Sequence, residues 1–476
     1  MHIEPYDSLH EECGVFGLYR YGGEGVLAEC YHALYCLQHR GQESCGIAVN
    51  RRGVITCRRD TGLVGEVFSA DVLSRMEDGD IAVGHCRYGT TGLQSRANAQ
   101  PLLVNHLKGA MALCHNGNIV NASELRRRYE LNGAIFQATS DSEVIAYTIT
   151  QQRLRCGSIE EAVLASMGII EGAFSLVIMS ATKLIAARDP HGFRPLCMGH
   201  IGRDVVFASE SCALAAIGAE FDRDIEPGEL VVVDRQGTRS LRCGVQARRG
   251  LCVFEYIYFA RPDSVIEGVS VHEARLRAGA MLWEAHPVEA DVVIGAPDSG
   301  LDAALGYARA SGIPYGIGLV KNKYIGRTFI QPGQKLRQDT VRIKLNVLDA
   351  TVRGKRVVMV DDSIVRGTTS ARVVRLLREH GAREVHVLFS APPFRHPCFY
   401  GTDIDSEDSL IAAHHSVEEI GQIIGADSIG FLPLEDCERM TGDIDLPLCK
   451  GCFSGQYPAP VPTSRAKLQF EMPLEP

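Results

Sequence analysis

The segment Val357-Val358-Met359-Val360-Asp361-Asp362-Ser363-Ile364-Val365-Arg366-Gly367-Thr368-Thr369-Ser370 decides both a fold and a chemistry. Four consecutive apolar residues predict a buried strand. Two carboxylates stand at its end, placed to accept hydrogen bonds from a sugar diol. Gly367-Thr368-Thr369 then opens a helix, where main-chain N–H groups and hydroxyls can cradle a phosphate and Gly367 admits close approach. Beyond Ser370, Val373, Val374, Leu376 and Leu377 recur at helical spacing up to Gly381, and Glu384-Val-His-Val-Leu388 makes a further strand. Strand, helix and strand in that order form a βαβ unit, hence parallel sheet, with Asp291-Val-Val-Ile-Gly295 as another strand. The plain alternative is an acidic strand end followed by a helix capped by Thr or Ser. The full spacing favours a ribose phosphate site.

Upstream, Lys321 to Lys344 carries Lys321, Lys323, Arg327, Lys335, Arg337, Arg342 and Lys344 against Asp339, a local charge of +6 in a chain whose formal charge is −9. A solvated basic surface would explain the charge alone. Gly326 and Pro332-Gly333 supply hinges, so the segment reads as a mobile loop closing over an anionic leaving group such as pyrophosphate. Magnesium belongs with that reading, because diphosphate charge is shared with a metal ion. Ser299, Asp361 and Asp362 are its candidate ligands.

Working back towards the start, the texture changes near Arg248-Arg249-Gly250. Before it lie short β-rich runs: Gly14 to Tyr19, Gly46 to Val49, Ile81 to Gly84, Ala110 to His115, Phe174 to Met179 and Leu230 to Asp234. Helical stretches, Ser123 to Leu131 and Ser142 to Leu154, fall between them. That order predicts an α+β domain with antiparallel sheet, followed by an α/β domain with mainly parallel sheet. The length of 476 residues fits two or three domains, and 45% hydrophobic with 22% charged residues is a globular composition that excludes disorder and low complexity. No apolar run approaches the roughly 18 residues that cross a bilayer, and Met1 to Glu12 carries four acids and no Lys or Arg, unlike a secretory signal. The expectation is a cytoplasmic protein that binds neither membrane nor nucleic acid.

Of the 16 cysteines, most, including Cys36, Cys45, Cys114 and Cys212, read as small buried hydrophobes. Two places have purposeful spacing. Cys449-x-x-Cys452 is half of a tetrahedral metal or cluster site, and Cys13 stands in Glu11-Glu12-Cys13-Gly14 near the start.

The Asp361 to Thr369 segment resembles the phosphoribosylpyrophosphate (PRPP) motif of type I phosphoribosyltransferases. Phe254-Glu-Tyr-Ile-Tyr-Phe-Ala-Arg-Pro-Asp263 and Gly326-Arg-Thr-Phe-Ile-Gln-Pro332 closely resemble strings of the glutamine PRPP amidotransferases. The likeness runs from Glu11 to about Pro458. It implies a leader, residues 1–12, removed on maturation; an Ntn-type glutaminase domain of four-layer αββα form over 13–248; and a type I phosphoribosyltransferase domain with a C-terminal extension over 249–476.

By the same resemblance Cys13 becomes the N-terminal nucleophile. Its freed α-amine, with a pKa of about 7.7 to 8.0, is roughly a tenth unprotonated near neutral pH, against about 0.04% for an ordinary lysine, and so serves as the base. Arg87, in Gly84-His-Cys-Arg-Tyr88, corresponds to the arginine that grips the glutamine carboxylate. Asn116 and Gly117 correspond to the oxyanion hole, and Asp141 to the acceptor for the substrate ammonium. Arg40, in Gln38-His-Arg-Gly-Gln42, lies in a family motif without an assigned task. PRPP binding falls to Asp361, Asp362, Ser363, Ile364, Val365, Arg366, Gly367, Thr368 and Thr369, with Lys321 and Arg327 from the basic loop. Cys252 and Cys398 join Cys449 and Cys452 as ligands of a [4Fe–4S] cluster in the family's iron–sulfur branch; composition alone leaves a four-thiolate zinc site open.

The activity implied is conversion of PRPP, glutamine and water to 5-phosphoribosylamine, glutamate and pyrophosphate with internal ammonia transfer, the first committed step of purine nucleotide synthesis. A homotetramer or homodimer, inhibited by purine nucleotides, goes with it. Two rivals are a different Ntn glutamine amidotransferase, which would lack the Asp361-Asp362 and Gly367-Thr-Thr features, and a PRPP-sensing regulator. The regulator would need a DNA-binding module and would have no use for an N-terminal cysteine.

Overall fold

A computed structural model describes residues 12–89, 95–322 and 345–462, apart from 403, 405, 443 and 445. Two antiparallel sheets stack face to face in the first half. One runs in spatial order Glu220–Asp224, Cys197–Ile201, Asp204–Ala208, Gly14–Tyr19, Ile81–Arg87, Ser44–Arg51, Val54–Thr61. The other runs Gly237–Arg242, Glu229–Asp234, Leu184–Arg188, Gly172–Ser180, Gly109–Ile119, Leu102–His106. Because side chains alternate along a strand, Val15 and Tyr19 point between the sheets, where they meet Val83, Cys114, Val177 and Val231, while Phe16 and Leu18 point outward under the Leu27–Leu37 helix. The Ala122–Leu131, Asp141–Arg155 and Ile159–Met167 helices cover the other sheet. The result is an αββα sandwich. With both faces buried, the central strands are largely apolar, and the buried polar residues they carry, His85, Arg87, His115 and Asn116, gather at one level of the sandwich. Of the cysteines read as core, Cys45, Cys114 and Cys212 are buried; Cys36 is only partly so.

The second half is built on a four-stranded parallel sheet ordered Val292–Gly295, Arg356–Asp361, Glu384–Phe389, Ser428–Phe431. The Thr368–Glu379 helix packs Val373, Val374 and Leu377 on one face, against Val357, Met359 and Val385. The Val271–Ala285 and Gly300–Ser311 helices cover Val358 and Val360 on the other. The helix after the acidic pair is not capped by Thr or Ser: its cap position is Gly367, at φ 84°, with no side-chain cap. That positive φ is one glycine adopts without strain.

The halves are stitched at several points. The N–H groups of Gly250 and Cys252 donate to His191 O (2.8 Å) and Phe193 O (3.0 Å), and Leu251–Cys252 pairs in parallel with Leu448–Cys449. Among the described residues no helix is long and apolar enough to cross a membrane.

Candidate functional site

Cys13 opens the Gly14–Tyr19 strand at the edge of the sandwich. Since Gly14 pairs with Cys86, Cys13 lies across from Arg87, and its Sγ–H donates to Tyr88 O at 3.3 Å. The thiol is buried, and that burial, opposed by the nearby Arg87 charge, pushes its pKa up to about 12. A thiol so reluctant to ionise needs a base beside it. The guanidinium of Arg87 is itself buried and paired with Glu43 at 3.2 Å.

The opposing sheet supplies the rest. Asn116 and Gly117 lie in the Gly109–Ile119 strand, paired with Ser175 and Phe174. Gly117 sits at φ 140°, and a Cβ there would come within 2.2 Å of Ala173 O, so no other residue fits. Asn116 is fully buried, yet among the described residues neither its Oδ1 nor its Nδ2 has a hydrogen-bond partner. A buried amide left unpaired costs roughly 1–3 kcal/mol, so an amide held this way points to a polar atom that arrives with substrate. Asp141 opens the helix behind the strand; Ser140 is its cap. Its Oδ2 accepts the Ile119 N–H at 3.0 Å, and its Oδ1 lies 3.8 Å from His115 Nδ1. Cys13, Arg87, Asn116, Gly117 and Asp141 are thus brought together from strands of both sheets and one helix.

The sequence reading passed over the residue that ties the two sheets at this level. His85 lies two positions before Arg87, on the same face of its strand, and its Nε2 bonds His115 O at 2.9 Å. Burial pushes the His85 pKa down to about 3, so the imidazole is neutral and the Nε2–H is the donor. Its place in Gly84-His-Cys-Arg87 was the only available signal. Arg40 also gains a setting: its Nε donates to Cys13 O at 2.9 Å.

The second centre lies at the carboxyl ends of the Val292–Gly295 and Arg356–Asp361 strands, where ligands of open α/β sheets are held. Asp362 is buried and accepts the hydroxyl hydrogens of Ser299 and Ser363. Burial raises the pKa of both Asp361 and Asp362, and the adjoining Asp362 charge raises Asp361 further. A divalent cation or a donating sugar hydroxyl would relieve both carboxyls. Ser299, Asp361 and Asp362 are therefore near one another, with oxygen donors suited to magnesium. Ile364 is buried in the core, so only its main chain can serve a phosphate; Arg366, Thr368 and Thr369 are exposed around Gly367. Lys321 Nζ lies 2.6 Å from Asp298 Oδ2, just ahead of Ser299. Arg327, and the basic loop from Lys323 to Lys344, lie outside the described residues.

Cys252 and Cys449 face each other in adjacent parallel strands. Cys398 is near enough to raise the pKa of Cys252, Cys449 and Cys452, and Cys252 and Cys449 also raise that of Cys452, although burial is the main cause at all three. Among the described residues no group of three or more His, Cys, Asp or Glu side chains is arranged to hold a metal ion.

Comparison with known proteins agrees with this layout. Residues 85–216 match the glutamine amidotransferase domain and residues 278–398 the phosphoribosyl transferase domain. The chain is 48% identical to an amidophosphoribosyltransferase of Bacillus subtilis, covering 95% of each chain, and 45% identical to one of Archaeoglobus fulgidus, covering 94% of this chain and 98% of the relative. The solved glutamine PRPP amidotransferase of B. subtilis, complexed with ADP and GMP, superposes with a TM-score of 0.89 at 47% identity, covering 95% of this chain and 99% of that one. A structure described as the allosteric regulatory enzyme of purine biosynthesis gives 0.90 at 46% identity, covering 97% and 99%.

Proposed function

This chain belongs to the amidophosphoribosyltransferase family and catalyses the first step of purine biosynthesis; from that premise we propose how its residues divide the work. Glutamine enters the sandwich with its carboxylate on Arg87 and its ammonium on Asp141. The Cys13 α-amine, freed by loss of residues 1–12, takes the thiol proton, and Sγ attacks the side-chain carbonyl. Negative charge develops on that oxygen, between the Asn116 side-chain amide and the Gly117 N–H. The amine returns the proton to the departing nitrogen, ammonia leaves, and water hydrolyses the thioester to glutamate. The ammonia passes inside the protein to the second centre and displaces pyrophosphate from C1 of PRPP. Shielding matters there, because water at neutral pH would convert ammonia to ammonium, which is no nucleophile. The unpaired amide of Asn116 carries this reading: its position suits a tetrahedral oxyanion, and among the described residues it has no hydrogen-bond partner.

At the second centre Asp361 and Asp362 bind the ribose hydroxyls, and the main chain from Ser363 to Thr369 holds the 5-phosphate. Lys321 and Arg327 meet the diphosphate. Ser299, Asp361 and Asp362 would hold magnesium, which would supply charge neutralisation for the leaving pyrophosphate. The donor set of Cys252, Cys398, Cys449 and Cys452 fits a [4Fe–4S] cluster. A single zinc needs every sulfur at about 2.3 Å from one point, whereas a cube of four irons takes one thiolate each and spreads them wider. Such a cluster would supply a tie between the junction strand and the Leu448–Cys449 strand. Purine nucleotides competing for the phosphate cradle, a homo-oligomer and a cytoplasmic location complete the proposal.

Pyrophosphate release from PRPP, with glutamine and then with ammonium salt as nitrogen source, tests it. Both should support release in the parent, and only ammonium in C13A. Glutamine-dependent release surviving C13A would remove Cys13 from the reaction.

A further inference from the structure

Arg40 is wholly buried, and four of its bonds fix its direction. Nε donates to Cys13 O at 2.9 Å, Nη1 to Glu210 at 2.7 Å, and Nη1 and Nη2 fork onto the two oxygens of Glu255 at 2.8 Å each. Glu210 belongs to the sandwich, whereas Glu255 lies beyond the junction, in the Glu255–Phe259 turn. Glu255 also faces Arg194 at 3.4 Å, and Arg194 in turn holds Tyr400 O at 2.8 Å, two residues after Cys398. A buried ionic chain thus runs from the main chain of the proposed nucleophile into the phosphoribosyltransferase half.

A network of this kind adds little net stability, since the cost of burying the charges offsets their attraction, but it specifies geometry sharply. What it specifies here is the carbonyl of Cys13. That carbonyl shares its Cα with both the thiol and the α-amine, so the angle at which Sγ meets glutamine follows the guanidinium, and the guanidinium follows the fork. We propose that Glu255, contributed by the phosphoribosyltransferase half, is a positioning residue of the glutaminase site, acting on Cys13 through Arg40.

The pairing pattern supports it. Glu12, in the leader proposed above to depart, pairs with Arg194 at 2.7 Å, and Glu210 pairs with Arg40 and with His39 at 2.9 Å. Of these three carboxylates, Glu255 is the one paired with both guanidiniums.

The inference rests on Cys13 being the nucleophile, and the test keeps the two ideas apart. In the full-length, processed protein, E255Q keeps the size of the side chain but surrenders the charged fork. Misplacing a reacting group by about 1 Å can cost on the order of 100-fold. The expected result is a kcat for glutamine hydrolysis reduced about 100-fold, with KM for glutamine unchanged within about twofold, because Arg87 and Asp141 remain in place. Ammonium-dependent pyrophosphate release stays at the parent level. E255D, which retains the charge on a shorter arm, should recover part of the lost kcat. If E255Q does not yield soluble protein, E255D alone carries the test, with a lowered kcat at unchanged KM. A parent-like kcat in the soluble variant, or equal loss of the ammonium-dependent reaction, overturns the proposal. An error in the nucleophile itself shows separately, as glutamine hydrolysis surviving C13A.

Discussion

Asp141 accepts the main-chain N–H of Ile119 at 3.0 Å, so the carboxylate assigned to the substrate ammonium is fastened to the strand that carries Asn116 and Gly117. Substrate clamp and oxyanion donors therefore move as one body. D141N retains an acceptor for that N–H and loses only the charge. A hydrogen bond to a charged group contributes about 1.5–3 kcal/mol, so kcat/KM for glutamine should fall about 10- to 100-fold, chiefly through KM. Ammonium-dependent synthesis should be untouched. Steady-state kinetics with both nitrogen sources decide it, and an unchanged KM for glutamine would contradict the assignment.

Asn116 separates function from stability. Among the described residues its side chain has no hydrogen-bond partner, so truncation removes no such bond. N116A should lower kcat for glutamine by about 100- to 1,000-fold, as loss of an oxyanion donor does. Its thermal midpoint should drop by no more than about 2 °C, and relief of the unpaired amide could raise it. A large drop in midpoint would mean that the amide is structural.

How far the sequence could be read depends on which contacts are local. Gly14–Tyr19 is legible because apolar residues fill both faces of a buried strand, and Glu384–Phe389 because Val385, Val387, Leu388 and Phe389 form a buried apolar run beside half-exposed Glu384 and His386. Val54–Thr61 and Gly237–Arg242 are not, because as sheet edges they carry Arg58, Arg59, Arg239 and Arg242 and resemble loops. The acidic pair and Gly367 are local signals, and the proposed phosphate cradle follows from them. By contrast, Arg40 meets Glu255 across 215 positions and Asn118 meets Phe399 O across 281. No periodicity encodes such pairings, so the coupling between the halves became visible only in three dimensions.

The bond from His85 to His115 O makes a pH prediction. Burial depresses the His85 pKa to about 3, from an ordinary 6.5, so the fold favours the neutral ring. The stability this contributes is fully present above pH 6.5 and is lost as the pH falls from there towards about 3. The linked free energy is on the order of 5 kcal/mol. H85Q keeps an N–H that can reach the same carbonyl but cannot take up a proton. Thermal midpoints measured from pH 7 to pH 4 should therefore decline less steeply in H85Q than in the parent. Parallel curves would show that His85 does not govern acid sensitivity.

Metal content of the purified protein decides whether the four cysteines hold an iron–sulfur cluster or zinc. Cys252 and Cys449 sit in paired strands that join the junction to the end of the described chain, so whatever binds them closes a long loop. Anaerobically purified protein should be brown and contain about four irons and four sulfides per chain, without stoichiometric zinc. C452S should lose most of that iron. The Leu448–Cys449 strand is only two residues long, and apart from the thiols it is held by main-chain bonds from Leu251 and Val253 and by Leu448 in the core. Limited proteolysis should then cut first in the segment following Leu446, while the sandwich resists. Colourless, fully active protein containing one zinc per chain would exclude the cluster, and iron retained in C452S would remove Cys452 from its ligands.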